Sequence, residues 1–122
     1  MEDEDLQRLV DRFYARVRED ASIGPLFNAA VADWPEHLEK LGAFWSSVMR
    51  TTGRYKGNPM AAHLKHSAAI EPAMFERWLE IWRDTAREEL APAHAEAVIA
   101  RAERIAESLQ LGLFFRIPSA IT

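Results

Sequence analysis

The chain has 122 residues, 48% of them hydrophobic, a formal net charge of −4 and no cysteine; one globular domain over 1–122 suits that profile, and disulfides, iron–sulfur clusters and a thiol nucleophile are excluded. The acidic balance argues against nucleic acid, which asks for a concentrated basic face, and no apolar run nears the ~20 residues of a membrane span. The opening Met1-Glu2-Asp3-Glu4-Asp5 lacks the basic start and apolar middle of a signal peptide, so a soluble, cytoplasmic, monomeric protein is expected.

Leu6, Leu9, Val10, Phe13 and Val17 recur at helical spacing, with acids ahead of them that suit the positive end of a helix dipole. Tyr14 lies on the flank of that stripe, so its ring can be buried while its hydroxyl needs a partner. Ser22-Ile23-Gly24-Pro25 reads as a turn, followed by Leu26 and Phe27 as a short apolar corner without a helix period. Asp33-Trp34-Pro35-Glu36 reads as a capped helix start. The helix runs to Arg50 with Trp34, Leu38, Leu41, Trp45, Val48 and Met49 on its apolar face and His37 at the border, beside Leu41 and Phe44. Two glycines and a proline between Thr51 and Pro59 make a loop able to bend around something bulky. Pro59 opens a short helix carrying His63, Pro72 a helix with Phe75, Trp78, Leu79, Trp82 and Ala86 on a broad face, and Pro92 a last helix packing through small residues. Residues 117–122 read as a frayed tail. With no alternating strand pattern, the fold class is all-α, with four main helices and one short one.

Four histidines exist, His37, His63, His66 and His94. Neither His-Glu-x-x-His nor Glu-x-x-His occurs, which removes the helical zinc-protease and carboxylate di-iron patterns, and glycine-rich phosphate loops are absent too. His63 sits among small apolar residues, one segment before the aromatic run Phe75, Trp78 and Trp82. Imidazole is the commonest side-chain metal ligand, and a greasy, aromatic-lined surround is what a large flat cofactor such as haem requires. The residues alone thus suggest a haem protein with His63 on the iron, the haem held noncovalently because no cysteine can attach it. His66 is the rival ligand, or a partner to His63 in a two-histidine metal site, but Lys65 and Ser67 beside it read as a solvated stretch. A haem-free helical interaction domain is the competing reading. There Tyr14 bonds a backbone carbonyl and the tryptophans are only packing.

The runs Phe13-Tyr14-x-x-Val17-Arg18, Gly24-Pro25-Leu26-Phe27-Asn28 and Trp34-x-x-His37-x-x-Lys40-Leu41-x-x-Phe44-Trp45, followed by Tyr55-x-Gly57-x-Pro59-x-x-x-His63-Leu64 and Phe75-x-x-Trp78-Leu79-x-x-Trp82, resemble in order the third group of truncated haemoglobins. The match spans roughly residues 6 to 110, nearly a whole domain. Relatives usually carry a leucine and prolines soon after the proximal histidine. Here Lys65 to Glu71 intervene before Pro72.

The resemblance implies a globin-like, two-over-two helical sandwich around haem b, with His63 as proximal ligand. It implies distal, catalytic roles for Tyr14, His37 and Trp78, and a haem-packing role for Phe27. Leu41, Phe44, Trp45, Tyr55, Phe75 and Trp82 are expected as further pocket lining, and Arg54 and Lys56 are the nearest cations to the haem edge. The ligands implied are oxygen, carbon monoxide, nitric oxide or peroxide. Two hydrogen-bond donors aimed at a bound ligand would slow its release, which suits redox chemistry, nitric oxide dioxygenation or peroxide reduction, better than oxygen transport. That chemistry would need a separate electron-donating reductase, because the chain has no flavin or nicotinamide module.

Overall fold

The computed structural model describes residues 1–64 and 69–114; His66 and the tail expected to fray, 117–122, lie outside them. Among the described residues every regular element is a helix: α1 (Asp3–Glu19), α2 (Gly24–Ala30), α3 (Trp34–Arg50), α4 (Pro59–Leu64), α5 (Pro72–Glu89) and α6 (Pro92–Phe114). The starts follow the punctuation read in the sequence. Asp33 Oδ1 accepts the Glu36 N–H at 3.1 Å to cap α3, and Pro35 and Pro72 occupy first turns where a missing N–H costs nothing. α3 ends at Thr51, whose φ of 57° is left-handed and turns the chain into the loop before α4.

One expectation is corrected. The Leu26-Phe27 corner is the helix α2, too short for a hydrophobic period to register and built by tertiary fit. The Asp20 carboxylate accepts from Ser22 N, Ser22 Oγ and Ile23 N at 3.0, 2.7 and 3.1 Å, which shapes the turn entering it. Gly24 then lets α2 press on the end of α1, where a Cβ would lie 2.8 Å from the Arg18 carbonyl oxygen.

α1 packs on α3, α6 packs on α5, and the two pairs meet where α1 crosses α5. α1 buries Leu6, Leu9, Val10, Phe13, Tyr14 and Val17. Gly42 lets α3 close on α1 over the Gln7 side chain, whose amide donates to the Leu38 carbonyl at 3.1 Å. At the crossing the Phe13 ring stands edge-on to Trp78 at 5.5 Å and to Trp82 at 4.9 Å. Trp82 is fully enclosed, lies flat on Trp45 at 4.5 Å, and donates its N–H to the Val98 carbonyl at 3.2 Å. Burial on more than one side explains the wide apolar face of α5. The short α4 rests on α6.

Candidate functional site

Tyr14 is the centre of an aromatic cluster that draws on four helices. Its ring lies 5.7 Å from Phe27 on α2, 6.0 Å from Trp34 and 6.1 Å from His37 on α3. Trp78 on α5 reaches its hydroxyl as a hydrogen-bond donor. Burial pushes the Tyr14 phenol up to about 12, with the Trp78 N–H working against the rise. At neutral pH this hydroxyl keeps its proton, so it presents an O–H donor. Trp78 can only donate, so its effect on the phenol is that of an N–H.

His37 is half-buried and its pKa is lowered, first by desolvation and then by the positive charges of Lys40 and His63. The last contribution matters for the layout. His63 on α4 is near enough to His37 for charge on one to be felt at the other. His63 Nδ1 lies 2.7 Å from the Pro59 carbonyl oxygen, one turn back on the same helix. A carbonyl only accepts, so Nδ1 carries a proton, and Nε2 is the ring nitrogen left for a metal. A hydrogen bond of this kind commonly fixes the tautomer and ring angle of a metal-bound histidine.

The other expected lining residues divide into two sets. Phe27, Leu41, Phe44, Tyr55 and Trp78 keep accessible apolar surface, with Tyr55 edge-on to Phe44 at 5.2 Å. Trp45 and Trp82 are 2% and 0% exposed and stand behind the front row, and Phe75 is buried against Phe114 at 6.1 Å. Arg54 donates to Asp3 at 2.9 Å. It also borders a surface depression with Glu36, Glu39, Lys40 and Ala43, while Lys56 is exposed. His94 is exposed on α6.

Trp34 is the residue that sequence reasoning left out of the site. It is 5.6 Å from His37 and carries the Arg18 guanidinium over its ring at 4.6 Å. Its place three residues before His37, on the same helical face, was the available signal. The loop that follows α3 is tied down by small polar groups with no sequence signature: Tyr55 N donates to Ser47 Oγ at 2.9 Å, and Ser46 Oγ donates to Asp3 at 2.8 Å.

Among the described residues no three His, Cys, Asp or Glu converge as an all-protein metal cage. The arrangement instead offers a single ring nitrogen on His63, accessible apolar and aromatic walls, and a donor cluster around Tyr14. A flat metallocycle that brings its own equatorial ligands fits that donor set; a bare cation does not.

A family model described as bacterial-like globin matches residues 2–110. The chain is 30% identical over 115 residues to the Group 3 truncated hemoglobin of Campylobacter jejuni, covering 91% of this chain and 90% of that one. The crystal structure of a group III truncated hemoglobin from Campylobacter jejuni is similar throughout, with a TM-score of 0.85 at 29% identity over 93% of this chain and 92% of the other.

Proposed function

This chain belongs to the bacterial-like globin family, whose cofactor is haem, and from that premise we propose that it holds haem b noncovalently through His63 Nε2 and retains small diatomic ligands or peroxide for redox chemistry. The observation that carries the reading is the 2.7 Å contact of His63 Nδ1 with the Pro59 carbonyl, which leaves Nε2 as the ring nitrogen available to iron. Bound there, haem supplies an iron with an open position for a small ligand.

The chain's own residues decide how that ligand is treated. Tyr14 offers an O–H donor to a bound ligand and keeps its proton at neutral pH, its pKa being pushed up to about 12. Trp78 orients the phenol and increases the acidity of its O–H by donating to its oxygen. Phe27, Leu41 and Phe44 supply apolar wall that excludes water. His37, neutral at pH 7 through its lowered pKa, adds an imidazole beside Tyr14. A hydrogen bond to a charged partner is worth about 1.5–3 kcal/mol, enough to slow ligand escape roughly tenfold or more. Slow escape suits nitric oxide dioxygenation or peroxide reduction with an external reductase rather than oxygen transport.

Absorption spectra of the purified protein, oxidised, reduced and with carbon monoxide, test the reading. We expect a five- or six-coordinate histidine-bound haem that His66→Ala preserves and His63→Ala loses, with recovery on adding imidazole. A colourless protein after expression with ample haem, or loss of the bond in His66→Ala alone, would be the contrary result.

A further inference from the structure

The three tryptophans of the fold's centre form one column. Trp78 and Trp82 lie 5.8 Å apart and within 4° of parallel. Trp82 and Trp45 lie 4.5 Å apart at 21°. Beyond Trp45 the rings continue edge to face, to Phe44 at 5.6 Å and then to the half-buried Tyr55 at 5.2 Å. The path thus runs from the indole that touches the Tyr14 hydroxyl to a phenol in the loop on the other side of α3. Stacked indoles overlap through their π faces, and indole and phenol are among the side chains most readily oxidised by one electron.

We propose that Trp78, Trp82 and Trp45 are an electron relay, carrying single electrons inward from Tyr55 to a strong oxidant generated at the site. The inference rests on the haem reading above and names the oxidant as hydrogen peroxide. Reduction of peroxide to two waters breaks its O–O bond and consumes two electrons and two protons. A bound haem would supply one of these electrons, and the column supplies the other. The hole passes from Trp78 through Trp82 and Trp45 to Tyr55, which releases its hydroxyl proton to solvent. An outside one-electron reductant of the ascorbate or phenol class then restores both Tyr55 and the iron, supplying two electrons in all.

Tyr14 is nearer the site but is a poor first donor. Oxidising a phenol requires that its proton leave, and Tyr14 is buried away from the water that could carry the proton off, with the Trp78 N–H working on its oxygen. Tyr55 is reached by water and has no such obstacle. Trp82 is held in place by its bond to the Val98 carbonyl, which also stabilises positive charge on the indole N–H. The column therefore has an entrance, a fixed middle and an exit able to shed a proton.

The test uses the haem-loaded protein and hydrogen peroxide without reductant, read by electron paramagnetic resonance, by mass spectrometry of oxidised residues and by loss of the haem absorption band. Wild type is expected to give a protein radical and oxidation at Trp45 and Tyr55. Trp82→Phe should confine oxidation to Trp78 and its neighbours and bleach haem several-fold faster. Trp45→Phe, a second break farther from the site, should leave oxidation at Trp82 but not at Tyr55, so the test survives if either variant folds poorly. If peroxide is consumed yet no radical reaches Tyr55 in wild type, and both variants bleach as wild type does, the relay is wrong while the haem reading stands. A protein whose spectrum shows no haem removes both.

Discussion

The two sides of the site are built by different means. On the side of Tyr14 and Trp78 every side chain is backed by core: Phe13 edge-on to Tyr14 at 4.6 Å, then Trp82, Trp45 and the α5–α6 interface. On the side of His63 there is a six-residue helix resting on α6, positioned by Pro59 and by Met60 against Gly112. Isolated helices of that length do not hold together in water. The proposed distal donors thus sit on the part of the fold that costs most to deform, and the proposed metal ligand sits on the part that costs least.

The largest effect expected from this contrast is at Trp82. Truncating a large, fully enclosed side chain costs about 3–5 kcal/mol, and Trp82→Ala also removes the indole bond to the Val98 carbonyl. We expect a loss of that size in denaturant unfolding, with faster ligand release as Trp78 loses its support. His63→Ala, by contrast, should leave helical content and unfolding of the apoprotein close to wild type. Equal destabilisation by both would erase the distinction between the two sides.

Next in size is Tyr14→Phe, which removes the distal O–H and leaves the ring in place. Release of oxygen from the reduced protein, followed by stopped-flow mixing, should accelerate roughly ten- to hundredfold. An unchanged rate would mean that the ligand is retained by something other than this phenol.

Two glycines sharpen the comparison further. At Gly24 an added methyl meets backbone, the Arg18 and Val17 carbonyl oxygens at 2.8 and 3.0 Å, so Gly24→Ala must push α2 and Phe27 away from α1. Overpacking of this kind costs about 1–3 kcal/mol. At Gly112 the methyl meets the flexible end of Met60, with Sδ at 2.6 Å. That side chain can swing aside, and alanine regains about 0.5–1 kcal/mol of helix preference. Gly112→Ala should therefore leave unfolding nearly unchanged while speeding haem transfer to an acceptor globin, since Met60 belongs to the helix of His63.

The same division explains what was legible in the sequence. The stripe Leu6, Leu9, Val10, Phe13, Val17 and the prolines 59, 72 and 92 mark helices because period and punctuation are local signals, and they place α1, α4, α5 and α6 where they stand. Tyr14 on the flank of its stripe could be read as a buried ring needing a polar partner, but the resemblance implied only a distal role for Trp78, and its action on the Tyr14 hydroxyl was not legible. Helix α2 was hidden because Asp20, Ser22 and the close approach at Gly24 build it, and those are contacts between elements. Depth was hidden as well. Periodicity gives the side on which Trp82 and Trp78 lie, not which of them stands in front. Trp34 was read as core although it shares a face with His37, because a helix start reveals little about what stands over it.

The smallest effect concerns pH and His37. Its pKa lies below the usual 6.5 because burial removes water from the charged form and because positive charge on Lys40, and on His63 when it is protonated, opposes a further one. The unfolded chain therefore binds the proton more readily than the folded one. Stability from this group is whole above about pH 6.5, its unfolded value, and drains away as pH falls through the lower folded value. Tyr14 and Trp34 also pack on the ring and carry no charge at these pH values, so neither can compensate a protonated imidazole. Comparing wild type with His37→Gln across pH 7.5 to 5 isolates this residue from the other three histidines. We expect the variant to lose less stability on acidification. A steeper loss in the variant would mean that His37 gains a partner when charged, and that the distal side is more polar than its ring packing implies.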